Sequence, residues 1–317
     1  MRILVIRTSS LGDIVHMLPA VSDIAHYVPD AQIDWLVEES FAEIPAWHPA
    51  VKQVITVAQR RWRKAWWSAA VKKERRMLAQ QLRSAPYDVV LDMQSLLKSA
   101  WLARQVQGVR HGLDLRSARE PLAALFYEVR HRVNFWQPAV TRQRELASLT
   151  FGYQFSGAPD FGLHSLAQAA SDSNQNYVVI MPSASRDDKL WPAEDWQAVF
   201  KRLRDAGCTL RVLAGNAKET ERAKALVAGL DGAEVMPRMS LTAVAHLLAG
   251  ARLMVGLDSG LTHLSSALGR PTIAIYRASS PIRTPLIGAS YTASLGDQGA
   301  PPSRDAVLAA VDQALAV

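Results

Sequence analysis

Four charged residues sit in loops of small and polar residues, where sugar and phosphate chemistry can be done. Asp13 closes the run RTSSLGD, with Gly12 before it to permit a tight turn. An aspartate at or near the start of the following helix either caps that helix or takes a proton from a bound hydroxyl as a general base. In MPSASRDDKLWPAEDW, Arg186 and Lys189 beside Ser183 and Ser185 suit a diphosphate, through charge and hydroxyl donors. Asp187 and Asp188 can equally pair with those cations at the surface. In ARLMVGLDSGLTHLSSALGRPTIAIY, Asp258-Ser259-Gly260 opens a helix that carries His263. The backbone N–H groups and macrodipole of such a helix start face an anionic phosphate, which leaves Asp258 to accept hydrogen bonds from sugar hydroxyls. The plainer alternative is an N-cap and a packed histidine. Glu219 in LAGNAKETERAKAL lies near another helix start, where an acidic residue binds a ribose diol or merely favours the dipole. G-x-G-x-x-G, G-x-x-x-x-G-K-[ST] and H-E-x-x-H are all missing, and the eight histidines are scattered. Dinucleotide binding of the usual kind, a phosphate loop and a zincin site are therefore not expected.

The elements that must position these residues repeat one pattern: a short β-branched run, a small-residue loop, then an amphipathic helix. Strands are expected at Ile3–Arg7, Ile33–Val37, Gln53–Val57 and Asp88–Met93, and again at Tyr177–Met181, Thr209–Ala214, Leu253–Gly256 and Thr272–Tyr276. Helices are expected at Ile14–Tyr27, Trp196–Ala206, Glu219–Leu230 and Leu241–Ala249. Alternation of this kind is an α/β class of parallel sheets covered on both faces. Each half restarts with an apolar strand running into a Ser-rich loop, which implies two Rossmann-like doubly wound domains facing a central cleft. The boundary is set at 162/163, within a glycine- and serine-rich stretch from about Gly152 to Asn176 that is taken as a linker. Arg304 to Val317 is one terminal amphipathic helix, expected to pack back on the N-terminal domain. In open α/β sheets ligands bind at the carboxyl ends of strands, so the polar residues just after each strand carry the interest.

The length of 317 residues is about twice the usual ~150-residue domain, and 49% hydrophobic with 21% charged residues is ordinary globular composition. Cys208 stands alone, so no internal disulfide and no cysteine-based zinc site can form, which fits a reducing compartment. MRILVIR does not lead into the apolar core of a signal peptide, and the least polar stretch, Val244 to Leu257, is too short to span a bilayer. A cytoplasmic protein without a transmembrane helix is expected. The net charge of +7 is uneven: residues 1–150 hold 21 Lys/Arg against 14 Asp/Glu, and residues 151–317 hold 15 of each. Ten of those cations lie between Lys52 and Arg83 with Glu74 as the one acidic residue, and QRRWRKAWWSAAVKKERR interleaves them with Trp62, Trp66 and Trp67. Such a run meets phosphates on a membrane, a lipid head group or a nucleic acid, or is simply a solvated face. The tryptophans favour a water–lipid boundary. No RNP, helix-turn-helix or zinc-finger signature accompanies it, so nucleic acid is not expected as a partner.

Taken together, RTSSLGDIVHMLPA, QRRWRK, SAREP, RDDKLWP and GLDSGLTHL resemble the bacterial lipopolysaccharide heptosyltransferases, inverting glycosyltransferases of GT-B architecture, over essentially the whole chain. QRRWRK and RDDKLWP favour the type I branch over type II. The resemblance implies transfer of L-glycero-D-manno-heptose from its ADP-sugar to the first Kdo of Kdo2-lipid A, by a monomeric enzyme on the cytoplasmic face of the inner membrane. No cofactor and no divalent metal are expected. By the same resemblance, Asp13 is the catalytic base and Lys189 contacts the donor phosphates. Asp258 holds the heptose, Glu219 lies near the adenosine ribose, and Ser185, Met239, Ser259, Gly260 and His263 belong to the donor site. Ser10, Gly12, Arg60, Arg61, Arg63, Lys64 and Arg119 fall to the acceptor. Ala184 offers no hydroxyl where relatives are expected to have threonine, so only Ser185 is kept there. Heptosyltransferase II or another ADP-sugar transferase of the family is the alternative, and an ADP-sugar-binding epimerase is disfavoured by the missing glycine fingerprint.

Overall fold

The structure, a computed structural model, describes residues 1–84, 86–169, 176–184 and 186–316. The chain divides into two compact units, Met1–Gly162 and Leu163–Val317. The first holds six parallel strands: β1 (Arg2–Ile6), β2 (Gln32–Glu38), β3 (Val51–Val57), β4 (Val89–Asp92), β5 (Val109–Leu113) and β6 (Val129–His131). Their order is β3-β2-β1-β4-β5-β6. The helices are α1 (Leu11–Val15), α2 (Leu18–Tyr27), α3 (Glu43–Ala46), α4 (Gln59–Lys64), α5 (Ala69–Arg83), α6 (Leu97–Ala103) and α7 (Ala139–Phe151). Ile3 to Ile6 of β1 are fully buried, as a central parallel strand covered on both faces requires. On one flank α2 packs against α7, and Arg144 of α7 grips Asp23 of α2 with two hydrogen bonds of 2.7 and 3.0 Å. On β5, Gly112 leaves the space that the Tyr127 ring fills, and the Tyr127 hydroxyl then donates to buried Asp92 at the end of β4 (2.7 Å).

The second unit begins with α8 (His164–Ala169) and contains β7 (Tyr177–Met181), α9 (Ala193–Asp205), β8 (Thr209–Val212), α10 (Ala217–Val227), β9 (Ala233–Val235) and α11 (Leu241–Ala249). It continues with β10 (Leu253–Leu257), α12 (Gly260–Ala267), β11 (Thr272–Ile275), β12 (Thr292–Leu295) and α13 (Arg304–Leu315). Its sheet is again all parallel, in the order β12-β11-β10-β7-β8-β9. Counted from its own first strand this is the same winding as in the first unit. In each sheet the order reverses between two central strands, β1 and β4 in one and β7 and β10 in the other. Ligands bind at the carboxyl ends of such strand pairs.

Several expectations are corrected. The helix foreseen over Ile14–Tyr27 is two, because Pro19 lies in the first turn of α2, where its missing N–H costs nothing and a continuous helix would need it. Gly12 lies inside α1 and not in a turn before it. The stretch taken as linker carries α8, and residues 170–175 lie outside the described residues. The terminal helix α13 buries Val307, Ala310, Val311 and Ala314 in the core of its own unit. Among the described residues, no helix is long and apolar enough to cross a membrane.

Candidate active site

In the first unit, Asp13 sits in α1 just past the carboxyl end of β1, and both of its carboxylate oxygens are engaged. Arg7 Nη2 lies 2.6 Å from Oδ1. The Ser10 N–H and Ser10 hydroxyl donate to Oδ2 at 2.9 and 2.8 Å. Asp13 thus completes a capping box with Ser10 while its side chain stays 41% exposed. Burial pushes its carboxyl up, but the Arg7 guanidinium and the Ser10 hydrogen bonds outweigh this and bring it down to about 2. Arg7 is itself held by donating to Met93 O (2.6 Å) at the end of β4. Alongside, Thr8 donates through its N–H and hydroxyl to Gln94 Oε1 (2.9 and 2.7 Å). Asp92 accepts from the Gln94 and Ser95 N–H groups, which fixes the β4 loop in turn. The loops after β1 and β4 are therefore fastened to one another where the winding reverses.

A cleft of about 770 Å³ opens beside them, walled by Ser9, Glu38, Arg60, Arg63, Lys98 and Trp101, with Lys72, Arg75, Arg76 and Arg83 contributed by α5. The basic helix α4 is held at its start by buried Glu38, whose two oxygens accept from the Gln59 and Arg60 N–H groups (3.1 and 3.0 Å). That leaves the α4 side chains free to differ. Arg60 stacks on Phe41, 5.0 Å from the ring centre, and Arg63 faces the cleft. Arg61 instead pairs with Glu39 (3.1 Å) and Glu74 (2.9 Å). Lys64 is exposed at the end of α4 and is not among the residues walling the cleft. Arg119 is exposed on the loop after β5, next to Glu120, whose carboxylate accepts from the Leu97 N–H (2.7 Å).

The second unit carries a compact cluster at its own reversal point. Lys189, in the loop after β7, donates to Asp258 Oδ2 (2.6 Å) and O (3.3 Å) at the end of β10. Ser279 donates to the same Oδ2 (2.6 Å), and His263 Nε2 lies 3.2 Å from Oδ1. Burial alone would raise the Asp258 carboxyl; the bonds from His263, Lys189 and Ser279 reverse that and hold it well below the usual carboxylate range. Ser259 caps α12, its hydroxyl 2.9 Å from Thr262 Oγ1, and Gly260 is the first residue of that helix. Ser183, fully buried after β7, has a hydroxyl with no hydrogen-bond partner among the described residues. Ser185 lies outside the described residues. Of the surface pairings weighed with Arg186 and Lys189, only that of Asp188 with Arg186 occurs; Asp187 pairs instead with Lys218 (2.7 Å) and Arg222 (3.3 Å). Glu219 is occupied locally, accepting from the Gly215 N–H (2.7 Å) and Asn216 Nδ2 (2.6 Å). Met239 stands partly exposed in the loop before α11.

Arg7, Glu38, Gln94, Lys98 and Ser279 went unnoticed in the sequence. The first, third and last lie just after strands, the position that a systematic pass over strand ends would have taken in. Among the described residues, no group of three or more His, Cys, Asp or Glu side chains is placed to hold a metal ion.

Comparison with known proteins bears on both halves. The model for glycosyltransferase family 9 (heptosyltransferase) matches residues 75–309. Lipopolysaccharide heptosyltransferase 1 of Escherichia coli K12 is 46% identical over 285 residues, covering 89% of each chain. The structure of E. coli heptosyltransferase WaaC with ADP superposes with a TM-score of 0.91 at 41% identity, over 99% of this chain and 100% of that one. WaaC with ADP-2-deoxy-2-fluoro heptose gives a TM-score of 0.87 at 40% identity, over 99% of both. The chain belongs to glycosyltransferase family 9, the heptosyltransferases, within the type 1 lipopolysaccharide branch.

Proposed function

We propose that the enzyme transfers L-glycero-D-manno-heptose from its ADP-sugar to the first Kdo of Kdo2-lipid A, with inversion at the anomeric carbon. The observation that carries the donor is the match over 99% of the chain to WaaC with ADP-2-deoxy-2-fluoro heptose. Asp13 accepts the proton of the acceptor hydroxyl as that oxygen bonds to the anomeric carbon. The bond from the anomeric carbon to the phosphate oxygen breaks on the opposite face, and ADP leaves with the electron pair. Lys189 and the N–H groups opening α12 offset the charge that develops on the diphosphate. The Lys189 ammonium rests on Asp258, 2.6 Å away, so the donor takes over an already positioned cation. Asp258, relieved of that contact, accepts from heptose hydroxyls while Ser279 and His263 keep it oriented.

The acceptor reading rests on the cleft beside Asp13, whose walls are rich in cations and carry indole rings. Trp66 and Trp67 stand 64% and 63% exposed next to it, which supports attachment to the anionic cytoplasmic face of the inner membrane. The enzyme is proposed to act as a monomer and without a metal ion. The test is mass spectrometry of Kdo2-lipid A incubated with the protein and ADP-heptose, with ADP release followed in parallel. Addition of one heptose, lost in Asp13→Ala, is expected. Transfer only onto an acceptor that already bears a heptose would move the enzyme to the type II reaction, and inertness towards both would overturn the acceptor.

A further inference from the structure

The cations around the cleft fall into two groups once their partners are counted. Arg7 is paired with Asp13, and Arg61 with Glu39 and Glu74. Lys98 is different: among the described residues no carboxylate pairs with it, and its ammonium donates to the Ser9 hydroxyl (3.0 Å). The two carboxylates whose fields reach Lys98, Glu38 and Glu120, are already bound to backbone N–H groups. Arg7 and Arg60 add positive charge nearby. Ser9 is next in sequence to Ser10, which holds Asp13, and both Ser9 and Lys98 wall the cleft. Gln94, anchored to Thr8, turns its amide towards the same hydroxyl (3.5 Å). An ammonium with no carboxylate partner among the described residues thus stands on Ser9, next to the serine that holds Asp13.

We infer that Lys98 and Ser9 form the subsite for the carboxylate of an acidic acceptor sugar, so that the sugar is oriented by its own negative charge with a hydroxyl presented to Asp13. The inference rests on the acceptor reading given above and adds to it the group that sets which sugars are accepted. One ammonium with one hydroxyl matches a singly charged carboxylate, which a charge-assisted hydrogen bond holds strongly. A phosphate dianion fits better farther along the cleft, where Arg63, Lys72, Arg75 and Arg76 are gathered. Lys98 then acts through geometry and charge before any bond is made, and its loss falls on acceptor recognition.

The experiment compares wild type with Lys98→Met, using Kdo2-lipid A and its Kdo methyl ester as acceptors. The lysine is exposed, so the variant folds, which a thermal melt verifies. The expected result is an acceptor KM raised roughly ten- to hundredfold, at unchanged donor KM. Esterification costs the wild type a similar factor and costs Lys98→Met nothing further. Losses that simply multiply, or a variant that still discriminates acid from ester, would overturn the subsite. Titration of the methyl glycoside of Kdo and of its ester into the protein, followed by NMR, answers separately. Binding of the acid that vanishes with Lys98→Met supports the subsite even if no heptose is transferred, in which case the functional reading falls instead. Equal binding of acid and ester by wild type overturns the subsite while leaving transferase activity intact.

Discussion

Replacing Asp13 by asparagine separates the residue's two duties. The shape survives: an amide oxygen still accepts from the Ser10 N–H and hydroxyl, which now donate at 2.9 and 2.8 Å. The proton acceptor is gone, and removal of a general base costs about 10²–10⁴-fold in rate. The ion pair with Arg7 is gone as well. The Asp13 carboxyl is brought down to about 2 from an ordinary 3.8 by Arg7 and the Ser10 hydrogen bonds together, which at face value is about 2 kcal/mol. The side chain is 41% exposed, and solvent screening reduces that to about 1 kcal/mol. For a unit of this size such a loss lowers the melting temperature by roughly 2–4 °C. Because the folded-state value is depressed, the stabilisation is fully present above pH ~4 and is lost as pH falls through about 2. The melting curves of wild type and variant should therefore differ at pH 7 and converge in strong acid. Steady-state ADP release at saturating acceptor, with calorimetry across pH, reads both effects. A variant that keeps kcat within tenfold of wild type would refute the base assignment, and so would one whose loss lies wholly in donor KM.

Lys189→Met removes the cation proposed to meet the diphosphate and should raise donor KM by about 10–100-fold while leaving acceptor KM unchanged, as read from initial rates with either substrate varied. Arg144→Met strands Asp23 inside the α2–α7 packing, where the pair is 6% and 10% exposed. A loss of about 3–5 kcal/mol is expected in urea unfolding, and a loss below ~1 kcal/mol would contradict the account of that contact. Arg61→Ala should leave acceptor KM within about threefold of wild type, because its guanidinium is already committed to Glu39 and Glu74. Arg63→Ala, facing the cleft, should raise it roughly tenfold. The reverse ranking would mean that the internal pairs break when acceptor binds.

The central strands were legible because a parallel strand buried on both faces reads as an unbroken apolar run, as RILVI, YVVIM and LMVGL do. The outer strands β5, β6, β9 and β12 (VRHGL, VRH, AEV and TASL) were not, since they are short and only partly covered and so carry no such run. Asp13, Lys189 and Asp258 stand out as candidates in the sequence because each follows a recognisable strand in a loop of small residues. What each of them touches was hidden by distance along the chain. Arg7 is steadied by Met93, 86 positions away, and Lys189 reaches Asp258 across 69. Arg61 shows the converse: four neighbouring cations look equivalent in QRRWRK, and the fold pairs one of them with Glu39 and Glu74.

The contact between Lys189 and Asp258 has a consequence for ionic strength. A bare ammonium in a binding site gathers anions from solution, and a ligand must displace them, which makes affinity fall as salt rises. Lys189 carries its counterion covalently, on the same chain and 2.6 Å away. The donor therefore exchanges one fixed anion for another, and few mobile ions are released. In the first unit's cleft, Lys98 has no such internal counterpart among the described residues. The two substrates should accordingly part company as sodium chloride is added: donor affinity nearly level, acceptor affinity declining steeply.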